Sequence, residues 1–426
     1  MGAEESLNWK IIQKCGQTGA FGNGGKTARG KTLDLERAKG FNRQENRDRP
    51  QGAAQGARGR EENREGRAAR ISAQTQETER TGIKSDVSRS AGKREENARK
   101  TILNCKACPE CNGLGCGNTL PGPGSKAPGN GAHDNWAAWK SIRLNFDTFV
   151  EDGPVDTGCS LFGRRFSLPL MSGPIGSMTQ YSREDVTVDF NDGVMEASAA
   201  AGTIDCFGDG VVPAVLPGAI ESMARHQAAA IPVFNPMPNA SIMKKMELFE
   251  DTDALAMCVV VDSAGLSHWK HLGDQPGTKT VADLRALRAH TKKPFIVKGI
   301  MTARGALQAL EAGADGIIVS NHGGRALSDV PGTAEVLPEI AAAVKGQATL
   351  IVDGGIRHGV DMVKALALGA DAVLICRPFA VAWFGGGAEG VKLYIEQLKR
   401  EFSEAMYMVG ARKTSDLNPE MLRLKT

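Results

Sequence analysis

Eight short apolar runs occur after residue 165, and a turn signal containing glycine, proline or asparagine closes nearly every one. Between most of them the apolar positions recur every three to four residues, as in TARGALQALEAGA (302–314) and GVDMVKALALGA (359–370), which predicts amphipathic helices. The apolar runs themselves are short enough to be strands. They are FSLPLMSG (166–173), GTIDCFGDG (202–210), IPVFN (231–235), ALAMCVVVD (254–262), PFIVKGI (294–300), GIIVSNHGG (316–324), TLIVDGG (349–355) and AVLICRP (372–378).

The order of these elements predicts the fold class. Strands that are apolar on both faces and alternate with helices indicate a parallel sheet covered by helices. Eight such units in fewer than 300 residues fit an α/β fold of the closed (β/α)8 type, a TIM barrel. An open doubly wound sheet is the alternative, but no GxGxxG phosphate-binding motif follows the first strand.

Polar side chains stand at the carboxyl ends of the predicted strands, where (β/α)8 barrels carry their active sites. The run GIIVSNHGGR, for example, changes abruptly from apolar residues to a histidine and an arginine separated by two glycines. We therefore expect these side chains to converge at one end of the barrel. They are Asp262, Lys298, Ser320, His322, Arg325, Asp353, Arg357 and Arg377.

Four segments resemble the FMN-dependent 2-hydroxy-acid oxidases and dehydrogenases, a family that includes glycolate oxidase and lactate oxidase. The segments are VKGI, GIIVSNHGGR, VDGGIRHGVDMVKALALGADAVLICRP and GGGAEGVKLYIEQLKREF, in the family's order and spacing. The close match covers residues 290–410, and a looser one extends back to about residue 100. The resemblance implies an FMN enzyme that oxidises a lactate- or glycolate-like 2-hydroxy acid to the 2-oxo acid, and a homo-oligomer.

The turn VDGGIR is a candidate cradle for the FMN phosphate. Its glycines would let backbone N–H groups approach an anion at a helix N-terminus, and two arginines would add forked donors. The resemblance places a lysine against the flavin edge that gains negative charge on reduction, and an aspartate on the ribityl hydroxyls. The candidate cofactor-binding residues are Lys298, Ser320, Asp353, Gly354, Gly355, Arg357, Arg377, Asn235 and Cys376, the last standing where the family has glycine.

Three residues are candidates for the chemical step. The resemblance makes His322 the base that takes the substrate proton, a role that suits a side chain with a pKa near neutrality. Asp262 would stabilise the imidazolium and fix its tautomer, and Arg325 would bind the substrate carboxylate. The glycines between His322 and Arg325 would allow close approach of a flat ligand.

The sequence departs from the family in its substrate contacts. No tyrosine precedes the barrel, and the family's second tyrosine and its neighbouring glutamine are replaced by Met237 and Asn235. The arginine expected after the fourth strand is also missing. That segment contains His268, Lys270 and His271 instead.

Four cysteines, Cys105, Cys108, Cys111 and Cys116, have C-x2-C-x2-C-x4-C spacing. Four thiolates this close suit a [4Fe–4S] cluster or Zn²⁺, and a cluster would offer an electron exit from reduced FMN. Free thiols are the open alternative, because spacing alone does not identify a ligand set.

The N-terminal region differs from the remainder in charge. Residues 1–100 contain 22 Lys and Arg against 14 Asp and Glu, whereas the rest contains 52 − 22 = 30 basic and 49 − 14 = 35 acidic residues. Residues 1–98 have few large apolar side chains and are predicted to be a disordered basic extension. A Cys- and Gly/Pro-rich segment (99–135) and the barrel (136–426) follow.

Other expectations concern partners and location. The most highly charged stretch of the basic extension, residues 42–70, contains no aromatic residue among its charges, so we expect no nucleic-acid partner. No apolar stretch is long enough to span a membrane and no signal-peptide core begins the chain, which predicts a cytoplasmic protein. The family resemblance implies a small anionic substrate. The electron acceptor is left open.

Two other functions remain open on the same fold. One is a different FMN reaction, such as that of a type-2 isopentenyl-diphosphate isomerase, against which SNHGGR argues. The other is a flavin-binding protein that has lost catalysis, which the missing tyrosines and arginine would explain.

Overall fold

The computed structural model describes residues 92–120, 122–210, 212–266 and 275–424, all within the compact unit Ile71–Thr426. The centre is a barrel of eight parallel strands, as the sequence predicts. The strands are β1 (Leu170–Ser172), β2 (Asp205–Gly208), β3 (Ala230–Phe234), β4 (Met257–Val260), β5 (Phe295–Ile300), β6 (Gly316–Val319), β7 (Thr349–Asp353) and β8 (Ala372–Ile375).

A helix follows each strand and covers the outside of the barrel. Local sequence sets several helix starts: Thr280 and Asp283 form a reciprocal capping box, and the Thr302 side chain accepts from the backbone N–H of Gly305. The helices are α1 (Thr187–Ala201), α2 (Val215–His226), α3 (Asn239–Glu247), α4 (Val281–Ala289), α5 (Ala303–Glu311), α6 (Thr333–Val344), α7 (Gly359–Ala367) and α8 (Arg377–Met408), which is broken at Gly386–Gly387.

The strands are hydrogen-bonded in the order β1-β8-β7-β6-β5-β4-β3-β2. The remaining gap between β1 and β2 is closed by a parallel bridge between Met171 and Ile204, with the Ser172 N–H donating to the Ile204 carbonyl at 2.9 Å. This closure brings the carboxyl ends of all eight strands to one face.

Alternate strand residues build two apolar cores. Ile231 and Val233 pack inside the barrel with Cys206 and Cys258, whereas Phe234 belongs to the core between the sheet and the helices. Both faces of each strand are therefore buried, which explains why the strands read as continuous apolar runs rather than alternating ones.

Two helices precede the barrel: residues 92–101 are helical, and a second helix, here called the front helix, spans Gly131–Ser141. Ala98 is fully buried, so the ordered body begins before the predicted boundary at residue 98, and the front helix spans the predicted boundary at 135/136. The disorder predicted for residues 1–91 lies outside the described residues.

Two short antiparallel pairs complete the description. Cys159–Leu161 pairs with Arg164–Phe166, and Arg143–Leu144 pairs with Leu422–Arg423. In the part of the chain that is described, no helix combines the length and apolar character needed to cross a membrane.

Candidate active site

A buried lysine forms the centre of the site. Lys298 Nζ in β5 lies 2.7 Å from Ser320 Oγ and 2.9 Å from Asp353 Oδ2, and Ser320 Oγ donates to the same carboxylate oxygen at 2.8 Å. Burial disfavours the charged amine, but Asp353 and Asp262 together raise the pKa of Lys298 above its ordinary value. The Lys298 amine therefore stays positively charged, and Ser320 after β6 and Asp353 in β7 hold it in place.

The predicted base and its partner meet beside this lysine. His322 Nδ1 lies 2.9 Å from Asp262 Oδ1, and the His322 backbone N–H donates to Ser320 Oγ at 3.1 Å. Burial alone would raise the pKa of Asp262, but His322 and Lys298 hold it below its ordinary value. A carboxylate that accepts from Nδ1–H leaves Nε2 of the neutral ring as the proton acceptor.

Packing within the chain explains the two glycines in the turn between His322 and Arg325. Gly323 and Gly324 have φ values of 65° and 75°, in the left-handed region that favours glycine. A Cβ on Gly323 would lie 2.6 Å from Arg377 Nη2, and one on Gly324 would lie 2.7 Å from the Gly131 Cα of the front helix. The sequence analysis predicted that a flat ligand would come close to these glycines. In this structure the groups that come close to them are the Arg377 guanidinium and the backbone of the front helix.

Arg325 is oriented by the segment that follows the cysteines. Its Nη1 atom donates to the carbonyl oxygens of Gly122 and Gly124, the latter at 3.0 Å. The Lys126 backbone N–H also donates to the Gly324 carbonyl at 2.9 Å. Both of these hydrogen bonds use Nη1, and neither uses Nε or Nη2, the pair of donors that can bind a carboxylate side by side.

The ends of β7 and β8 contain buried polar atoms suited to a phosphorylated cofactor. Arg357 donates from Nε to the Cys111 carbonyl and from Nη1 to the Ile356 carbonyl, each at 2.6 Å. Arg357 Nη2, Arg377 Nη1 and Asp353 Oδ1 are buried and find no hydrogen-bond partner among the described residues. Two guanidinium donors and one carboxylate acceptor fit the phosphate and the ribityl hydroxyls of FMN, because buried polar atoms of this kind require partners.

Gly354 and Gly355 are required by the backbone and by the front helix. Their φ values are 85° and 81°, and a Cβ on Gly355 would lie 2.4 Å from the Asn135 carbonyl oxygen. Trp139 Nε1 also donates to the Gly354 carbonyl at 2.7 Å. These contacts explain the glycines without a ligand, and a phosphate contact from their N–H groups stays a prediction.

Cys376 finds room at the start of α8. Its thiol lies 3.6 Å from the carbonyl oxygen of Pro174, and burial raises its pKa. The neighbouring Gly173 accommodates it, since a Cβ at that position would lie 2.7 Å from the Cys376 Cβ. The backbone N–H that the resemblance assigns to FMN stays a prediction.

Asn235 is held by neighbours that the sequence analysis did not identify. Its Nδ2 atom donates to Asp209 Oδ1 at 2.6 Å, and Ser263 Oγ donates to its Oδ1 at 3.1 Å. Lys245 Nζ lies 2.5 Å from Asp209 Oδ2. The position of Asp209 directly after β2 was a signal for this network, and the flavin contact of Asn235 stays a prediction.

The four cysteines lie beside the arginines but do not form a metal centre in the structure. Cys105, Cys108, Cys111 and Cys116 are half-buried free thiols, and the Cys111 carbonyl accepts from Arg357 Nε. Burial raises the pKa of Cys105 to about 11, which favours a neutral thiol. Within the described ranges no group of three His, Cys, Asp or Glu side chains is arranged to hold a metal ion.

Three residues named in the sequence analysis fall outside the described residues. They are His268, Lys270 and His271, the candidates for the position of the missing arginine after β4.

Comparison with known proteins shows which family this chain is similar to. A model of the FMN-dependent dehydrogenase family matches residues 124–270 and 235–424. A 2-hydroxyacid oxidase of Dictyostelium discoideum is 32% identical over 317 residues, covering 68% of this chain and 81% of that protein. A peroxisomal (S)-2-hydroxyacid oxidase of Arabidopsis thaliana is 48% identical over 141 residues, 33% of this chain and only 39% of that protein. Among solved structures, a mandelate oxidase has a TM-score of 0.64 at 27% identity and covers 79% of this chain and 98% of its own.

Proposed function

Because this chain belongs to the family of FMN-dependent dehydrogenases, we propose that it binds FMN and oxidises a small 2-hydroxy acid to the 2-oxo acid. The observation that carries the proposal is the His322–Asp262 pair at 2.9 Å beside the buried Lys298. Relatives named 2-hydroxyacid oxidase and L-lactate oxidase, the latter from Lactobacillus jensenii and 46% identical over 142 residues, support this reaction class.

In this reaction FMN supplies the acceptor for the hydride equivalent that leaves the substrate's 2-carbon. His322 Nε2 receives the proton of the substrate, and the imidazolium that results is stabilised by Asp262. Asp262 is suited to this role because its pKa lies below the ordinary value and the group stays ionised. Arg325 holds the substrate carboxylate through Nε and Nη2, since its bonds to the Gly122 and Gly124 carbonyls both use Nη1.

The cofactor would be held by the buried polar atoms that have no hydrogen-bond partner among the described residues at the ends of β7 and β8. Arg357 and Arg377 would bind the phosphate, and Asp353 Oδ1 would accept from a ribityl hydroxyl. Lys298 supplies the positive charge that favours a reduced, negatively charged flavin, and Ser320 keeps that lysine in place. The phosphate roles of Gly354, Gly355 and Cys376, and the ring contact of Asn235, belong to the same proposal.

The proposal leaves the electron acceptor open between oxygen and another oxidant. The homo-oligomer implied by the family resemblance and the cytoplasmic location predicted from the sequence stay expectations; the similar Arabidopsis protein is named as peroxisomal.

Metal binding by the cysteines is a separate hypothesis. The C-x2-C-x2-C-x4-C spacing supports it, and the segment lies next to Arg357, where an iron–sulfur cluster would adjoin the cofactor. Stoichiometric iron or zinc in anaerobically purified protein, lost after Cys108→Ser and Cys111→Ser, would support it. A parent protein with neither metal would refute it.

The reaction class is tested by flavin bleaching. The purified or reconstituted protein should be yellow and release FMN on denaturation, and anaerobic mixing with a panel of 2-hydroxy acids should bleach the flavin band with at least one of them. Arg325→Met should raise the acid concentration needed and slow bleaching, whereas the exposed Arg304→Met should do neither. Bound FMN that no acid bleaches would favour an isomerase-like reaction or a degenerate flavoprotein.

A further inference from the structure

One backbone carbonyl of the cysteine segment, residues 105–116, takes part in the site at the end of β7. The Cys111 carbonyl accepts from Arg357 Nε at 2.6 Å, and the Ile356 carbonyl accepts from Arg357 Nη1 at 2.6 Å. Arg357 is 7% exposed, and its buried Nη2 atom has no partner among the described residues. Two carbonyls therefore fix the guanidinium whose Nη2 donor is assigned to the FMN phosphate, and one of the two comes from the chain ahead of the barrel.

The N-terminal end of the front helix holds the backbone that follows Cys111. Asn130, the residue before that helix, donates from Nδ2 to the Gly113 carbonyl at 3.2 Å. His133 Nδ1 lies 3.0 Å from the Asn112 carbonyl, which can only accept. Two successive carbonyls after Cys111 are thus bound by side chains at one end of the front helix.

Glu110 holds the preceding part of the cysteine segment through its side chain. A single oxygen, Oε1, accepts from Trp136 Nε1 at 2.8 Å and lies 3.2 Å from Lys140 Nζ, and these two partners are one turn apart on the front helix. The same oxygen lies 3.8 Å from Nε2 of His358, the residue that follows Arg357. Glu110 therefore joins the cysteine segment both to the front helix and to the turn that carries Arg357.

The front helix is itself fixed to the carboxyl ends of two strands. Trp139 Nε1 donates to the Gly354 carbonyl after β7 at 2.7 Å, and the fully buried Asn135 exchanges hydrogen bonds with Asn321 after β6 at 2.7 and 3.1 Å. Lys364 Nζ of α7 also donates to the Trp139 carbonyl at 2.9 Å. A segment tied to this helix is therefore held in a defined position relative to β7.

We propose that Glu110 is a positioning residue for the FMN phosphate: it ties the cysteine segment to the front helix and so keeps the Cys111 carbonyl on Arg357. The inference rests on the proposed function and deepens it, because it gives the cysteine segment a part in cofactor binding that uses its backbone and neither a metal nor the thiols. It also specifies that the phosphate, and not the flavin ring, is the part of the cofactor that depends on this contact.

The test compares binding of FMN with binding of riboflavin, which has the same ring and ribityl chain but no phosphate. Flavin-free protein is titrated with each flavin, and the change in flavin fluorescence gives Kd. Glu110→Ala should raise the Kd for FMN about five- to tenfold, as expected when a partly exposed side chain loses a hydrogen bond and an ion pair, and should leave the Kd for riboflavin unchanged. Glu311→Ala is the matched control, because Glu311 forms an ion pair with Arg285 at 3.3 Å on the outer helices, and it should change neither Kd.

Two further variants separate positioning from a general loss of structure. Trp136→Phe removes the Nε1 donor but keeps an aromatic ring, so it should weaken FMN binding and not riboflavin binding, by less than Glu110→Ala; it decides the question alone if Glu110→Ala does not fold. Arg357→Lys keeps the charge but lacks the forked donors that the Cys111 and Ile356 carbonyls hold. In that background Glu110→Ala should cause no further loss of FMN affinity.

Three results would overturn the inference. They are equal weakening of FMN and riboflavin binding in Glu110→Ala, an unchanged Kd for FMN in that variant, and a loss that adds in full to that of Arg357→Lys. The first would mean that Glu110 supports the fold as a whole, and the third that it acts on the cofactor by a route other than Arg357.

The same titrations distinguish this inference from the proposed function. If FMN binds the parent more tightly than riboflavin but no 2-hydroxy acid bleaches it, the proposed reaction fails and the Glu110 variants still decide the positioning role. If the parent prefers FMN and Glu110→Ala keeps that preference in full, only this inference is wrong. If the parent does not prefer FMN to riboflavin, the phosphate site and this inference are both wrong.

Discussion

His322 Nδ1 lies 2.9 Å from Asp262 Oδ1, although 60 positions separate the two residues in the chain. The pair forms because β4 and β6 end at the same face of the barrel with β5, which carries Lys298, between them. The carboxylate is kept ionised by His322 and Lys298, so it is available to stabilise a protonated imidazole. His322, its ionised partner Asp262 and the Lys298 cation are thus brought together from three successive strands.

Asp262→Asn should slow flavin reduction without releasing FMN. The amide no longer neutralises the imidazolium, and it can hold the ring in the wrong tautomer, so the rate of bleaching should fall about a hundredfold. Rapid-mixing absorbance gives the rate, and FMN released on denaturation gives the occupancy. Bleaching at the parent's rate would show that the carboxylate plays no part in the reaction.

Lys298→Met should destabilise the fold, because it leaves the buried Asp353 carboxylate without its ion-pair partner. Removing one member of a buried pair costs about 3–5 kcal/mol of the free energy of unfolding. Urea denaturation gives the change, and Lys244→Met, at an exposed position in α3, is the control. A loss no larger than the control's would contradict a stabilising role for the pair at 2.9 Å.

Asp205 should make the stability pH-dependent. Burial raises the pKa of this carboxyl from 3.8 to about 7, despite the hydrogen bond that it accepts from Ser172. Because the folded pKa is higher than the unfolded one, the associated stability is fully present below about pH 4 and is lost as the pH rises to about 7.

Asp205→Asn removes this titration, so its melting temperature should fall less than the parent's between pH 5 and pH 8 and should be the higher of the two at pH 8. Glu196→Gln, an exposed change in α1, should follow the parent. Parallel curves for Asp205→Asn and the parent would contradict the assignment.

Truncation should distinguish the extension from the ordered body. Residues 1–91 have too little apolar surface to dock by the sequence argument, so their removal should leave the melting temperature unchanged. Removal of residues 1–101 should lower it by on the order of 5 °C. That helix buries Ala98, and its Arg94 lies 5.2 Å from the Tyr394 ring centroid and donates to Gln397 at 3.2 Å. Equal melting temperatures for the two truncations would contradict this docking.

The barrel and its strand ends were predictable because their signals are local. Each strand is a run buried on both faces, and Lys298 and Asp353 interrupt such runs at their carboxyl ends, where a charge needs a partner. In a (β/α)8 barrel the carboxyl ends of all strands lie at one face, which predicts that these side chains converge. The pairing of Lys298 with Asp353 follows from that convergence.

The contacts from the chain ahead of the barrel were not predictable in this way. Asn135 and Asn321 exchange hydrogen bonds at 2.7 and 3.1 Å across 186 positions, and Gly122 and Gly124 reach Arg325 across about 200. The spacing of apolar and polar residues along the chain does not show which backbone carbonyl will bind which guanidinium.

The most direct test of the account is the rate of anaerobic flavin bleaching in His322→Ala. FMN occupancy should equal the parent's, because the atoms assigned to the phosphate belong to Arg357 and Arg377. The rate with a 2-hydroxy acid that bleaches the parent should fall about a hundred- to ten-thousandfold, the usual loss for a positioned base. His290→Ala, which removes a histidine paired with Glu247 at 3.2 Å, should leave the rate unchanged. Bleaching of His322→Ala at the parent's rate would contradict the assignment of His322 as the base.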